Sequence, residues 1–277
     1  MGCYTLCAIN FRKRQVLLIK ERKEKNMKNV LTPEESKAML LCMQRPHFTN
    51  SDTYIVVIQT DPEWVSKILP PPLQPADPIV SIMFMKCDQF QGTVVGVQAR
   101  YGDKVADFGL GYVMQNDLAV IYGRDGLNEP KKLGNTTITR IGDEFVGSAE
   151  RYGQELIRVE ATFMQSGDTS MLSQSSAFHF KYSFKADASG VEGVRLFNST
   201  FRLECKSLEI MQPKLVKLNE TVHDIYGNIP VKNVEAVLHA YMDCYGSGQY
   251  LADVDPETFL PYAFWRHDDY TKVMKTW

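Results

Sequence analysis

Two adjacent lysines, Lys131 and Lys132, follow Glu129 and Pro130 in the segment AVIYGRDGLNEPKKLG, residues 119–134. A primary amine attacks carbon only when it is neutral, and an exposed lysine with a pKa of about 10.4 is almost wholly protonated at neutral pH. Chemistry on either amine therefore needs surroundings that disfavour the ammonium, such as an apolar pocket or a second cation close by. Each lysine supplies a cation to the other, and Ala119, Val120, Ile121, Tyr122 and Leu133 offer apolar surface. Bringing such an amine to a pKa of about 7 costs roughly 4–5 kcal/mol, which a domain of this size can bear. The chemistry to which the pattern points is attack on a carbonyl carbon and formation of an imine. Taken alone, two neighbouring lysines read more plainly as solvated surface.

Other chemistries find little support. The histidines, at 47, 179, 223, 239 and 267, have no metal-ligand spacing, so no metal is expected. His179 alternates with strand aromatics and His239 falls on an expected helix, which gives both structural roles. The six cysteines, at 3, 7, 42, 87, 205 and 244, form no C-x-x-C pair and read as reduced intracellular thiols. No G-x-S-x-G elbow, Walker loop or dinucleotide fingerprint occurs, and no cofactor is implied. A net charge of −2 and a pI near 6.2 leave no footprint for nucleic acid. No apolar run reaches the ~20 residues of a membrane span, and the first residues lack the charge pattern of a signal peptide. Gly2 and Cys3 suggest acylation, but Leu6 stands where that motif takes Ser or Thr. A cytoplasmic location is expected.

The elements that must position the lysines read as mostly strand. Arg12 to Lys28 is a basic run, with Thr32-Pro33-Glu34-Glu35 opening a short helix through about Met43 by a capping box. This gives a basic extension with a helix over residues 1–42 and a main domain over 43–277. Residues 53–60, TYIVVIQT, are rich in β-branched side chains and read as a strand. Asp61 and Pro62 then open a helix that Pro70, Pro71 and Pro72 end. Strands are expected over 79–85, 94–101 and 104–115, and a turn at Asn116-Asp117 leads into the strand that delivers the lysines. Meander strands follow over 136–141, 144–152 and 155–164, with a polar loop over 167–176. Residues 178–184 alternate, with Phe178, Phe180, Tyr182 and Phe184 on one face. Further strands cover 195–205 and 207–218, and Val234, Val237, Leu238 and Tyr241 predict a helix over 231–244. Phe259, Tyr262, Phe264 and Trp265 give the tail apolar surface to dock on the body or on another subunit. Short strands at hairpin spacing make this an α+β chain, mostly antiparallel β.

The Pro-Lys-Lys-Leu-Gly run resembles the active-site segment of the acetoacetate decarboxylase family. The likeness extends to SDTYIVVIQTDPEWVSKILPPPLQPADPIVSIMF upstream, and to FVGSAERYGQELIRVEATF, IPVKNVEAVLHAYMDC and LADVD downstream. It implies the family's β-cone or barrel with a few peripheral helices, a homo-oligomer, and a small carbonyl compound as substrate. It further implies that Lys131 is the nucleophile, that Lys132 is the second lysine of the pair, and that Arg124 and Asp125 match the family's Gly-Arg-Glu. In a regular strand the two lysines would point to opposite faces, leaving Lys132 to act through local charge or by fixing the turn.

The departures from the family pattern also carry information. Ser51 stands where the family has an arginine, Met83 where it has a glutamate, Gln91 and Gly92 where it has its active-site glutamate, and Glu129 where it has an aromatic residue. With Arg124, the residues Ser51, Met83, Gln91 and Met114 are the candidate substrate-binding set. A pocket without that arginine should prefer a carbonyl compound larger or less acidic than acetoacetate, because burying an unpaired carboxylate is costly. Glu129 would serve as an acid/base beside the amine, or else as a solvent-facing turn residue. The expected activity is a Schiff-base lyase that decarboxylates a β-keto acid or a related compound. Schiff-base aldol, dehydration or cyclisation chemistry, or noncatalytic binding of a small molecule, are the alternatives.

Overall fold

A computed structural model describes residues 30–265, 267 and 268. The basic run at 12–28 and the acylation motif at Gly2 and Cys3 lie outside the described residues. The chain divides into two units at residues 43 and 44. Ahead of the division, helix α1 (Pro33–Gln44) begins with the expected box. Thr32 N donates to Glu35 Oε2 at 2.8 Å, and Glu35 N to Thr32 Oγ1 at 3.2 Å.

The second unit is built on one sheet of eleven strands. In chain order these are β1 (His47–Gln59), β2 (Gln74–Lys86), β3 (Gln91–Tyr101), β4 (Lys104–Met114), β5 (Lys131–Leu133), β6 (Asn135–Ile141), β7 (Glu144–Arg151), β8 (Gln154–Ser166), β9 (Gln174–Phe184), β10 (Val191–Leu218) and β11 (Asn233–Asp253). Three more helices lie among the described residues: α2 (Pro62–Ile68), α3 (Asp117–Tyr122) and α4 (Pro256–Phe259). The strands run β11-β1-β2-β3-β4-β9-β10, and β10 pairs back onto β11, which closes a ring. From Glu209 on, β10 pairs with β8, beyond Met211 it leaves β11, and β7 and β6 follow. Pairing is antiparallel except where β4 meets β5 and β9.

The two faces of the ring differ in kind. Tyr54, Val56 and Ile58 of β1 and Val80, Ile82 and Phe84 of β2 are buried on one face. There Phe145 of β7 stacks on Tyr54 at 3.8 Å. A ring this small is wide enough inside for side chains or one small ligand and not for three further strands, so the face covered by β6–β8 is the outside. The alternate residues Ser51, Thr53, Met83, Met85, Val94 and Tyr112 face inward.

Three expectations need correction. Residues 119–122 are helical: Asn116 Oδ1 accepts from Ala119 N at 2.7 Å, and this cap with Asp117 in the first turn prevails over the β-branched residues that follow. The expected helix over 231–244 is the ring strand β11, paired on both sides by β1 and β10. Val237 and Tyr241 lie on one face of the strand and Leu238 on the other, so the apolar spacing that imitates a helix is divided between the two faces. The two strands at 195–205 and 207–218 are one, β10, with a register shift between Cys205 and Ser207. The tail docks on the body, with Trp265 packed at 4.2 Å from Phe108 and the Tyr182 hydroxyl donating to the Ala263 carbonyl.

Candidate active site

The ring has a weak seam, because β4 and β9 pair only at Asp107–Ala177 and Phe108–Phe178. Past that point β4 continues to pair with β5 instead, and residues 115–130 fill the gap. They form α3, a π-helical turn at Gly123–Leu127, and Asn128 with φ 55. Carbonyls of β9 that β4 leaves unpaired need donors. Asn128 Nδ2 provides them, at 3.1 Å from Phe180 O and 3.2 Å from Tyr182 O, and Lys181 Nζ donates back to Gly126 O at 3.0 Å. The backbone is then fixed residue by residue: Glu129 N donates to Gly123 O at 3.1 Å and Tyr112 N to Pro130 O at 3.0 Å.

This framework buries Lys131 and Glu129 together. Their Nζ and Oε2 atoms are 2.7 Å apart, with side chains only 9% and 11% exposed. The approach lacks the alignment of a hydrogen bond, so Oε2 has an ionic partner but no donor aimed at it. A Cβ on Gly123 would overlap Glu129 Oε2 and Lys131 Cδ and lie 2.6 Å from Nζ, so the pair fits only beneath a glycine. The Phe90 ring covers the ammonium from 5.6 Å, a cation–π distance. Tyr112, Met114 and Ala119 form a buried apolar cluster with Phe90, Val94 and Val120 against it. Burial, reinforced by the charges of Glu129 and Asp107, raises the Tyr112 phenol far above its ordinary value.

The other candidate residues divide between the faces. Met83 and Ser51 lie on the inner face, and Ser51 Oγ is buried 3.0 Å from Thr53 Oγ1. Arg124 is half-buried in the π-helical turn, where its carbonyl accepts from Asn128 N. Gln91 points outward, its amide donating to Thr136 O at 2.6 Å. Lys132 also points outward, because Val113 rather than Tyr112 is its partner on β4. Its ammonium lies 2.9 Å from Asp224 Oδ1 and 3.0 Å from Asp268 Oδ1, and Arg151 binds the same two carboxylates. The lysines that are neighbours in sequence therefore serve opposite faces.

The sequence gives His179 a structural role, and the structure places it buried inside the ring. It is 3% exposed, and its Nε2 lies 2.9 Å from Ser199 Oγ. Burial pushes its pKa down, and the charges acting on it are those of Glu129 and Lys131. The available signal was a histidine on the second face of a strand whose first face carries Phe178, Phe180 and Tyr182. A small cleft opens at the seam, lined by His179, Pro130, Gly109, Asn128 and an aromatic group that includes Phe108 and Trp265. Lys131 does not line it, although the adjacent Pro130 does. Burial also pushes the inner-face Cys244 thiol up to about 12, which leaves it no nucleophile at neutral pH. Among the described residues no group of three or more acidic, histidine or cysteine side chains could hold a metal ion, and no helix is long and apolar enough to cross a membrane.

Several solved structures share this fold. Acetoacetate decarboxylase from Legionella pneumophila superposes with a TM-score of 0.70 at 18% identity, covering 75% of this chain and 87% of that one. The enduracididine biosynthesis enzyme MppR, complexed with pyruvate, gives 0.64 at 18% identity over 75% and 90% of the two chains. An acetoacetate decarboxylase-like enzyme from Sphingomonas wittichii RW1 gives 0.65 at 16% identity over 83% and 100%. No curated protein matches the sequence. The family model described as acetoacetate decarboxylase (ADC) matches residues 28–254, from before α1 to the end of the ring, and the chain belongs to that family.

Proposed function

We propose that the protein is a Schiff-base-forming carbon–carbon lyase with Lys131 as nucleophile and Glu129 as its acid/base partner. The observation that carries this reading is the buried contact of 2.7 Å between the two. In a site of low dielectric, passing the ammonium proton to Glu129 exchanges two buried charges for a neutral amine and a carboxylic acid. The amine then attacks the carbonyl carbon, and Glu129 returns the proton to the departing hydroxyl, which leaves as water. The resulting cationic imine accepts the electron pair of the bond to the carboxylate. Carbon dioxide leaves, the enamine is protonated on carbon, and hydrolysis frees the product.

The substrate is a β-keto acid longer than acetoacetate, with an apolar body. Met83, Met114 and Phe90 offer apolar contacts on the inner face, and Ser51 with Thr53 offers hydroxyls where the family resemblance places an arginine. A second reading, aldol-type condensation or cleavage through the same imine, draws on MppR, which has a structure complexed with the condensation product of pyruvate and imidazole 4-carboxaldehyde. Carbon dioxide release from a series of β-keto acids of increasing chain length tests the first reading. The expected result is turnover that rises with chain length and disappears in Lys131→Ala. Turnover that survives in this variant contradicts it, and retro-aldol products without carbon dioxide favour the second reading.

A further inference from the structure

The Lys131–Glu129 pair accounts for protons at nitrogen and oxygen, but an imine enzyme must also move a proton at carbon. Glu129 Oε2 is 2.7 Å from the amine and committed to it. His179 is a proton-transfer group on which both charges of the pair act: it lies on β9, across the seam from the segment that carries Glu129 and Lys131, and it lines the cleft alongside Pro130.

Two contacts bear on its tautomer: Ser199 Oγ lies 2.9 Å from His179 Nε2 and 3.5 Å from Ala177 O. With the hydroxyl turned to that carbonyl, an acceptor only, Oγ accepts from Nε2–H and the lone pair resides on Nδ1. Among the described residues no hydrogen bond occupies Nδ1. The Phe197 ring packs against the imidazole at 5.2 Å and holds its plane. The result is a buried, neutral, oriented base with one nitrogen unengaged, at the wall of the cleft.

We propose that His179, oriented by Ser199, moves the proton at the α-carbon of the substrate bound to Lys131. This rests on the imine reading above. From the cationic imine, Nδ1 takes the α-proton, the C–H electron pair becomes the enamine double bond, and the iminium π pair returns to nitrogen. In the reverse direction the imidazolium protonates the enamine carbon; for this to follow loss of carbon dioxide, Nδ1 first takes a proton from solvent. The charge formed on the ring is stabilised by Glu129, the carboxylate that acts on it.

The test is solvent deuterium exchange into the α-positions of two probes, acetone and methyl hexyl ketone, followed by proton NMR, with borohydride reduction of the same mixtures in parallel. The wild-type protein should exchange both probes and yield a reduced adduct on Lys131. His179→Asn should still yield the adduct, with exchange slowed at least about 100-fold, the usual weight of a general base. Ser199→Ala, which frees the ring to change tautomer, should slow exchange about tenfold and shift its pH profile; it decides the matter if His179→Asn fails to fold. Exchange at the wild-type rate in the variant that decides overturns the proposal. An adduct without exchange in the wild type overturns the role of His179 and leaves the imine reading intact. No adduct in the wild type overturns both.

Discussion

Gly123 sets how closely Glu129 can approach Lys131, since a side chain there would occupy the space that both now fill. Overpacking of this kind costs about 1–3 kcal/mol. Gly123→Ala should therefore lower the melting temperature and reduce imine formation together, because relief of the overlap separates Nζ from Oε2. Unchanged melting and unchanged imine yield would show that the loop moves freely and that the contact is not imposed. At this scale the sequence was legible for Lys131 and Glu129, whose adjacency around Pro130 survives any local backbone shape. It gave His179 a structural role and left Gly123 unmarked: His179 meets the pair across a seam between segments far apart in the chain, and Gly123 meets Glu129 and Lys131 only through the folded shape of the loop between them.

The element that decides the site is the segment from 115 to 130 that fills the gap between β4 and β9. Asn128 holds it in two ways, by adopting a left-handed backbone and by satisfying two carbonyls of β9. Asn128→Gly keeps the first and loses the second, and Asn128→Ala loses both. The expected order of stability is wild type, then glycine, then alanine, with the alanine variant about 2–3 kcal/mol below wild type by denaturant melting. Its apolar residues suggested a strand, since Val120 and Ile121 carry that propensity; the cap at Asn116 decided otherwise. The β11 strand was misread for a different reason, because Val237, Leu238 and Tyr241 fall at helical spacing although the strand divides them between its two faces.

Strand β11 also carries a pH-dependent clamp. His239 Nε2 lies 2.6 Å from Asp52 of β1, and Nδ1 lies 2.8 Å from Glu209 of β10. Burial opposes charging the ring, but the two carboxylates outweigh it and hold its pKa above the ordinary histidine value. A raised folded-state pKa means that the stabilisation is complete below the unfolded value of about 6.5 and is lost as pH rises through the folded one. The melting-temperature advantage of the wild type over His239→Gln should therefore be largest in mild acid and shrink above neutrality. An advantage that grows with pH would contradict the assignment.

At the scale of the molecule, one face of the ring is closed by three strands and the other carries the Lys131–Glu129 pair. The mostly antiparallel α+β class was legible in strand spacing, whereas ring closure by β10 on β11 joins segments whose pairing no local pattern reports. On the outside, Lys132, Arg151, Asp224 and Asp268 tie β5 and β7 to the residues that follow the tail aromatics. Burial would raise the Asp268 carboxyl, but hydrogen bonds from Arg151 and Lys132 bring it down to about 2. A depressed carboxyl stabilises above its unfolded pKa of about 3.9 and loses that contribution as pH falls towards the folded value. Asp268→Asn should cost about 1–2 kcal/mol at neutral pH, allowing for solvent screening of a partly exposed group, and the cost should fade below about pH 4.

The account as a whole depends on the buried Lys131 amine condensing with a carbonyl compound. The most direct measurement is borohydride reduction in the presence of a β-keto acid, followed by peptide mapping by mass spectrometry. The account predicts a single reduced adduct on the peptide carrying Lys131, absent without the keto acid and absent in Lys131→Ala, with Lys132 unmodified. An unmodified Lys131 under conditions in which the keto acid is consumed, or an adduct on Lys132 instead, would contradict it.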